Sequence, residues 1–208
     1  MKALALIVAA LNGAPVSGCS RGGDRLPPIP VERYSEGQKL AVRALAVDRQ
    51  RPVAGPFVPL LRSPELMLAA KSIGDYLHSK SVLAPRIQEL AVLVVSREWT
   101  QQVEWQVHHR LALQAGLRPD VVDAIGDGRR PAALQDDEQA AYDVSIELLR
   151  NKRVSDETYR RAVAAFGEQG VVELLGVNGY SMLLSAVMNG ARTAPADPVA
   201  EPLRHFPD

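Results

Sequence analysis

Apolar residues recur every three to four positions along most of the chain, which is the spacing of one face of an α-helix. No segment shows the alternation expected of a β-strand, and no repeat or low-complexity tract interrupts the pattern. Serine, proline and acidic residues mark several helix starts, and glycines mark several ends. The predicted helices run from about Ser35 to before Pro52, Pro64 to about His78, Pro85 to Gly116 with a bend or short break at 97–102, Pro119 to Ile125, Asp136 or Asp137 to Leu149, Ser155 to Gly167, and 169–190.

This pattern predicts an all-α protein, a single-domain helical bundle of seven or eight helices spanning 34–193.

Two segments depart from the ordinary amphipathic pattern. Residues 52–59 are rich in proline, which lacks a backbone donor, so we expect an ordered loop there, anchored by its apolar side chains. Residues 169–190 are apolar nearly all round, so this helix is expected to be buried in the core or at a subunit interface. The Pro-rich tail, 194–208, is expected to be irregular.

The N-terminus resembles a bacterial export signal. A basic start at Lys2 precedes an apolar run from Ala3 to Ala10, and Val16-Ser-Gly-Cys19 resembles the lipobox whose cysteine is lipidated. We therefore expect a signal peptide over 1–18, a tether over 19–33, and a lipoprotein anchored to the membrane through Cys19, facing the periplasm or cell exterior. The alternative is an early start codon, an unmodified cysteine and a cytoplasmic protein. No apolar run after Cys19 approaches the ~20 residues needed to span a bilayer.

The amino-acid composition of the chain argues against some classes of binding partner. The 24 basic and 24 acidic residues balance, so no overall field would draw the protein to nucleic acid. Aromatic residues make up only 5% of the chain, which argues against a stacking platform for single strands. The chain has one cysteine, which excludes an intrachain disulfide.

Among the four histidines, His108 has the most suggestive neighbours. On a continuous helix, Gln101, Glu104, Trp105 and His108 follow the spacing i, i+3, i+4 and i+7 and would share one face. A carboxylate four residues from a histidine can orient the imidazole and raise its pKa, which suits a proton donor or acceptor.

Two other interpretations of this segment remain open at this stage. A Glu–His pair at i,i+4 is common and can be a solvated polar face worth only a few tenths of a kcal/mol. A metal site would use Glu104, His108 and Glu89. The segment has no HExxH pair, and His109 points about 100° away from His108 on an ideal helix, so we expect no metal.

Several stretches together resemble the carboxymuconolactone decarboxylase family, which includes the alkylhydroperoxidase D (AhpD) type of peroxidase. The resemblance covers residues of about 55–192. The matching stretches are Gly55–Leu66, Pro85–Leu93, Glu104–His108, Ala115–Leu117 and Val171–Leu174.

The peroxidase branch of that family has a glutamate, eleven intervening residues, Cys-x-x-Cys, and a histidine four residues after the second cysteine. On this chain the glutamate falls on Glu89, the cysteines on Gln101 and Glu104, and the histidine on His108. Peroxide reduction there needs a thiolate and a resolving thiol, which Gln101 and Glu104 do not supply. The resemblance therefore implies the decarboxylase-like branch, which uses neither a metal nor an organic cofactor.

The resemblance implies a cofactor-independent lyase that transfers a proton to a small carboxylated lactone or related organic acid. His108 would donate the proton, held by Glu104 or Glu89, while Gln101 and Trp105 would line the pocket. Arg86 would pair with Glu89, hold a substrate carboxylate, or simply lie on the surface, and Trp99 would belong to either the pocket or the core.

Two alternative functions remain open. The protein could be an isomerase or hydrolase that uses the same site, or an exported scaffold or small-molecule-binding protein that has the family fold but no catalytic activity. Members of the family commonly form homo-oligomers, so the resemblance also implies self-association as a trimer or hexamer.

Overall fold

The computed structural model describes residues 23–45, 53–195 and 203. Within these ranges the chain forms eight α-helices and no strand, together with a short 3-10 helix at Val31–Arg33. The all-α prediction and the predicted number of helices are confirmed. The helices are α1 (Glu36–Leu45), α2 (Phe57–Leu60), α3 (Pro64–Lys80), α4 (Pro85–Glu98), α5 (Gln102–Gln114), α6 (Pro119–Gly126), α7 (Asp136–Asn151) and α8 (Asp156–Ala191).

Most helix ends fall where the sequence places a breaker or a cap. Proline occupies the first turn of α3, α4 and α6, where its missing N–H has no intrahelical partner to lose. Ser155 caps α8 by accepting a hydrogen bond from the N–H of Thr158. Gly167 interrupts the helical geometry of α8 with φ 69° and ψ 172°, which confirms the break expected there.

The segment 52–59 differs from the expected loop. From Phe57 the backbone forms the short helix α2, and Pro59 lies inside it. A proline is tolerated there because the first turn of a helix has no intrahelical acceptor for its N–H groups. The end of the first predicted helix, between Leu45 and Pro52, lies outside the described residues.

The core is organised around α4. Every residue of this helix from Leu90 to Arg97 is buried, because α5, α7 and α8 all pack against it. One apolar cluster joins α4 to α5, α6, α7 and α8, and a second joins α1, α2, α3 and the C-terminal part of α8. The helix α8 therefore connects both clusters.

The described part of the expected tether packs against the helices. The backbone N–H of Arg25 donates to the carbonyl of Ala191 over 2.7 Å, and Arg62 donates to the carbonyl of Pro27. Near the C-terminus, Leu203 is buried, and its backbone exchanges two hydrogen bonds with the side-chain amide of Gln102. The expected signal peptide and Cys19 lie outside the described residues.

One helix in the described part of the chain, α8, is long and apolar enough to cross a membrane. Half of its most apolar window is buried inside the bundle. Packing against α4 and α7 accounts for that apolar character, as does the placement of Leu174 and Met188 in the two core clusters.

Candidate active site

A tight corner between α4 and α5 brings the candidate residues together. Thr100 adopts a left-handed conformation with φ 46°, and the N–H of Gln101 donates to the carbonyl of Ser96 over 2.8 Å. The chain therefore reverses direction within three residues, and α5 packs back along α4. This reversal places Glu89, in the second turn of α4, opposite His108 at the middle of α5.

At this meeting point the imidazole of His108 lies between two carboxylates. Its Nδ1 atom is 2.7 Å from Oε2 of Glu89, and its Nε2 atom is 3.5 Å from Oε2 of Glu104. All three side chains are largely buried, with exposed fractions of 14% for His108, 13% for Glu89 and 7% for Glu104. Each imidazole nitrogen thus faces its own carboxylate.

The electrostatics of the three groups favour a charged imidazole. Burial opposes the charge and is the largest single influence, but Glu89 and Glu104 together outweigh it and raise the pKa of His108 to about 9. Burial also raises the pKa of Glu104, a change that His108 opposes and Glu89 reinforces. His108 is therefore an imidazolium at neutral pH, and burial makes Glu104 easier to protonate than an exposed glutamate.

Gln101 was expected to line the pocket, but the structure uses its side chain at the start of α5. Its Oε1 accepts hydrogen bonds from the N–H groups of Val103 and Glu104, at 2.6 and 3.3 Å. Its Nε2 donates to Oδ1 of Asn189 on α8. Gln101 precedes the helix as its N-cap, so the expected continuous helical face does not extend to it.

The surroundings of the two tryptophans differ. The ring of Trp105 packs over Gly126, and a Cβ atom at Gly126 would come within 2.9 Å of it. The ring of Trp105 also lies beside that of His109, with centroids 5.8 Å apart. Trp99 ends α4 with its side chain partly exposed, and its carbonyl accepts a hydrogen bond from Asn189.

Arg86 does not contact Glu89, despite its position one turn earlier on α4. Its Nη2 lies 2.6 Å from Oδ2 of Asp137 and 3.1 Å from Oε1 of Gln135, at the start of α7. The pair with Glu89, one of the three alternatives for Arg86, is not formed, and the ion pair with Asp137 is formed instead. Arg86 therefore links two helices of the bundle.

Two residues that sequence reasoning missed lie within electrostatic reach of the centre. Burial lowers the pKa of the half-buried His78 on α3. The charge of Glu89 opposes this change, and the charge of His108 adds to it. Burial raises the pKa of Tyr180 on α8, and the negative charge of Glu104 adds to that rise. No local pattern marked either residue, because their approach depends on how α3 and α8 pack.

In the part of the chain that the structure describes, no group of three or more histidine, cysteine, aspartate or glutamate residues is arranged to hold a metal ion. The arrangement is instead that of a hydrogen-bonded acid–base group. An imidazolium with a short contact to Glu89 on one side has a second carboxylate, Glu104, on the other.

The fold is shared with a protein of unknown function from Agrobacterium tumefaciens, described as a candidate antioxidant defence protein AhpD. The two chains align with a TM-score of 0.59 and 17% identity, over 65% of this chain and 94% of that chain. No family model matches the sequence, and no curated protein matches it either. The likeness establishes an AhpD-like all-α fold, so activity has to be argued from the site.

Proposed function

We propose that Glu89, His108 and Glu104 form the acid–base centre of a cofactor-independent enzyme acting on a small organic acid, lactone or related carbonyl compound. The observation that carries this proposal is the placement of His108 between two buried carboxylates, at 2.7 and 3.5 Å. A solvated polar face would leave these groups exposed, whereas here each is at most 14% exposed. Burying three ionisable groups together is costly, and such clusters are concentrated at functional sites.

Each residue has a role that its surroundings support. His108 is protonated at neutral pH, so it is the proton donor to a substrate carbon. Glu89 holds Nδ1 and thereby fixes the orientation of the ring. Glu104 lies beside Nε2, the nitrogen that would face substrate, and its raised pKa suits a group that accepts the proton from a substrate or returns it to His108.

Within this class, we favour a decarboxylase-type lyase, as the resemblance to the carboxymuconolactone decarboxylase family implies. When CO2 leaves, the electron pair of the broken C–C bond moves into a conjugated carbonyl group. The proton of His108 then goes to the carbon atom, which neutralises the charge. An isomerase would use the same groups, with Glu104 removing a proton from one carbon and His108 delivering one to another.

Thiol-dependent peroxide reduction does not fit the chemistry of these residues. Its reaction needs a thiolate and a second thiol, and the corresponding positions here are Gln101 and Glu104. The chain's single cysteine is Cys19, far from them in sequence. The proposal is therefore proton transfer without a redox step.

The test is an unbiased metabolite screen of the purified protein, followed by pH–rate profiles on a compound that is turned over. His108→Gln and Glu104→Gln should each lower kcat by ~10²–10⁴-fold, the usual contribution of a positioned acid or base. His109→Gln is the matched control, because this neighbouring ring packs against Trp105. Unchanged rates in both site variants would reject the proposal, and saturable binding without any product would favour a binding protein.

A further inference from the structure

The corner between α4 and α5 contains a strained residue. Thr100 is branched at Cβ and has φ 46°, a left-handed conformation that such residues rarely adopt. Two backbone hydrogen bonds, from the N–H groups of Thr100 and Gln101 to carbonyls in the last turn of α4, close the turn locally. A conformation of this kind persists only where the surrounding structure holds it, so the contacts on either side of Thr100 matter.

One side chain from α8 contacts the chain on both sides of Thr100. The Nδ2 atom of Asn189 donates to the carbonyl of Trp99 over 2.8 Å, and its Oδ1 atom accepts a hydrogen bond from Nε2 of Gln101 over 2.9 Å. Asn189 lies in the last turn of α8, where its own carbonyl accepts from the N–H of Arg192. The Asn189 amide therefore joins the end of α4 and the start of α5 to the C-terminal end of α8.

A chain of hydrogen bonds continues from this amide to the acid–base centre. The Oε1 atom of Gln101 accepts from the N–H of Glu104 over 3.3 Å and from that of Val103 over 2.6 Å. Glu104 belongs to the first turn of α5, and Nε2 of His108, one turn later, is 3.5 Å from its carboxylate. Since Asn189 holds the other end of the Gln101 amide, it helps to fix where α5 begins.

The position of α5 on α4 determines whether His108 meets Glu89. Their 2.7 Å contact joins two helices that follow each other through the corner at Thr100. A displacement of α5 by ~1 Å would stretch this contact beyond hydrogen-bonding distance. Misplacing a catalytic group by this amount can lower a rate by ~10²-fold.

We propose that Asn189 is a positioning residue of this site, whose amide holds the strained corner at Thr100 and keeps the α5 residues of the acid–base centre in register with Glu89. This inference rests on the proposed function. Asn189 acts through Gln101 and the corner rather than by contact with substrate. The C-terminal end of α8 therefore controls the rate of proton transfer and leaves substrate affinity unchanged.

The experiment compares Asn189→Ala and Asn189→Leu with the parent, each as the full chain. Both variants remove the two hydrogen bonds, while alanine favours the helix and leucine keeps the size of the side chain. Asn151→Ala, at the exposed end of α7, is the matched control. In an NMR titration we expect a lower pKa for His108 in both Asn189 variants than in the parent and the control, because the supporting contact with Glu89 is weakened.

Turnover gives a second readout. On a compound identified by the metabolite screen, kcat should fall ~10–100-fold in both Asn189 variants while KM stays at the parent value. Variants that lose stability but keep the parent's His108 pKa and kcat would overturn the inference, because Asn189 would then be a purely structural residue. If the parent turns over no compound, the proposed function fails, whereas the NMR comparison still decides whether Asn189 positions His108.

Discussion

Glu89 Oε2 lies 2.7 Å from His108 Nδ1, although the two residues are on different helices and separated by the corner at Thr100. This contact distinguishes the site from an ordinary Glu–His pair on one helix, because it fixes the ring from the side opposite Glu104. It also supplies much of the electrostatic support that raises the pKa of His108 to about 9.

The first prediction concerns stability at alkaline pH. The pKa of His108 is about 9 in the folded chain and about 6.5 when unfolded, so the folded state binds the extra proton between these values. This stabilisation is complete below about pH 6.5 and is lost as the pH rises through 9. The free energy of unfolding should therefore fall by roughly 3 kcal/mol over this range. Chemical denaturation between pH 6 and 10 measures it.

The matched variants for this measurement are neighbours in the sequence. His108→Gln should abolish most of the decline between pH 6.5 and 9, and His109→Gln should keep it. A parent protein whose free energy of unfolding is flat across this range would contradict the prediction.

The second prediction concerns stability at acid pH. Burial opposes ionisation of Glu173, but hydrogen bonds from Gln169, Ser81, Tyr76 and the N–H of Val82 together lower the pKa of Glu173 to about 2. This carboxylate therefore stabilises the fold above about pH 4.5, and the stabilisation is lost as the pH falls towards 2. We expect Glu173→Gln to lower the free energy of unfolding at pH 7 by on the order of 2 kcal/mol.

Acid titrations of the unfolding free energy check this prediction. The decrease in the free energy of unfolding between pH 4.5 and 2 should be smaller in Glu173→Gln than in the parent, because the variant lacks the ionisable carboxylate. Glu168→Gln, an exposed position on the same helix, serves as the control and should follow the parent curve. If the free energy of unfolding of Glu173→Gln falls as much as that of the parent, other carboxylates are responsible for the acid dependence.

The third prediction concerns Gln101. Its side chain caps α5 and also joins α8 through Asn189, so Gln101→Ala should cost about 1–2 kcal/mol of stability. Gln101→Asn keeps a capping carbonyl but is too short to preserve both contacts, so it should retain part of this stability. Thermal unfolding measures both variants. A Gln101→Ala protein as stable as Gln114→Ala, at the exposed end of α5, would contradict the capping role.

Much of the fold was predictable from local signals, because proline, glycine and capping residues determine where helices begin and end. Pro85, Gly116 and Gly167 each mark a boundary or break that the structure contains. Pro59 is an exception, because a loop was expected there and the structure has the short helix α2. Proline is excluded from the interior of a helix but is tolerated in its first turn.

The site was predictable only in part, since its contacts join separate helices. The spacing of Glu89, Glu104 and His108 carried the resemblance that grouped them before any distance was known. By contrast, the contact of Arg86 with Asp137 and the approach of Tyr180 to Gly74 depend on tertiary packing, which no local pattern encodes. The position of Gln101 as the N-cap of α5 was not predicted, because the helical spacing was extended across a residue with non-helical backbone angles.

The most direct test of the acid–base centre is an NMR titration of the His108 imidazole, in the parent and in Glu89→Gln. The structure predicts a pKa of about 9 in the parent, and a lower pKa when the carboxylate facing Nδ1 is neutralised. Titration of His108 near its ordinary value of about 6.5, or the same pKa in both proteins, would contradict a buried carboxylate–imidazole centre.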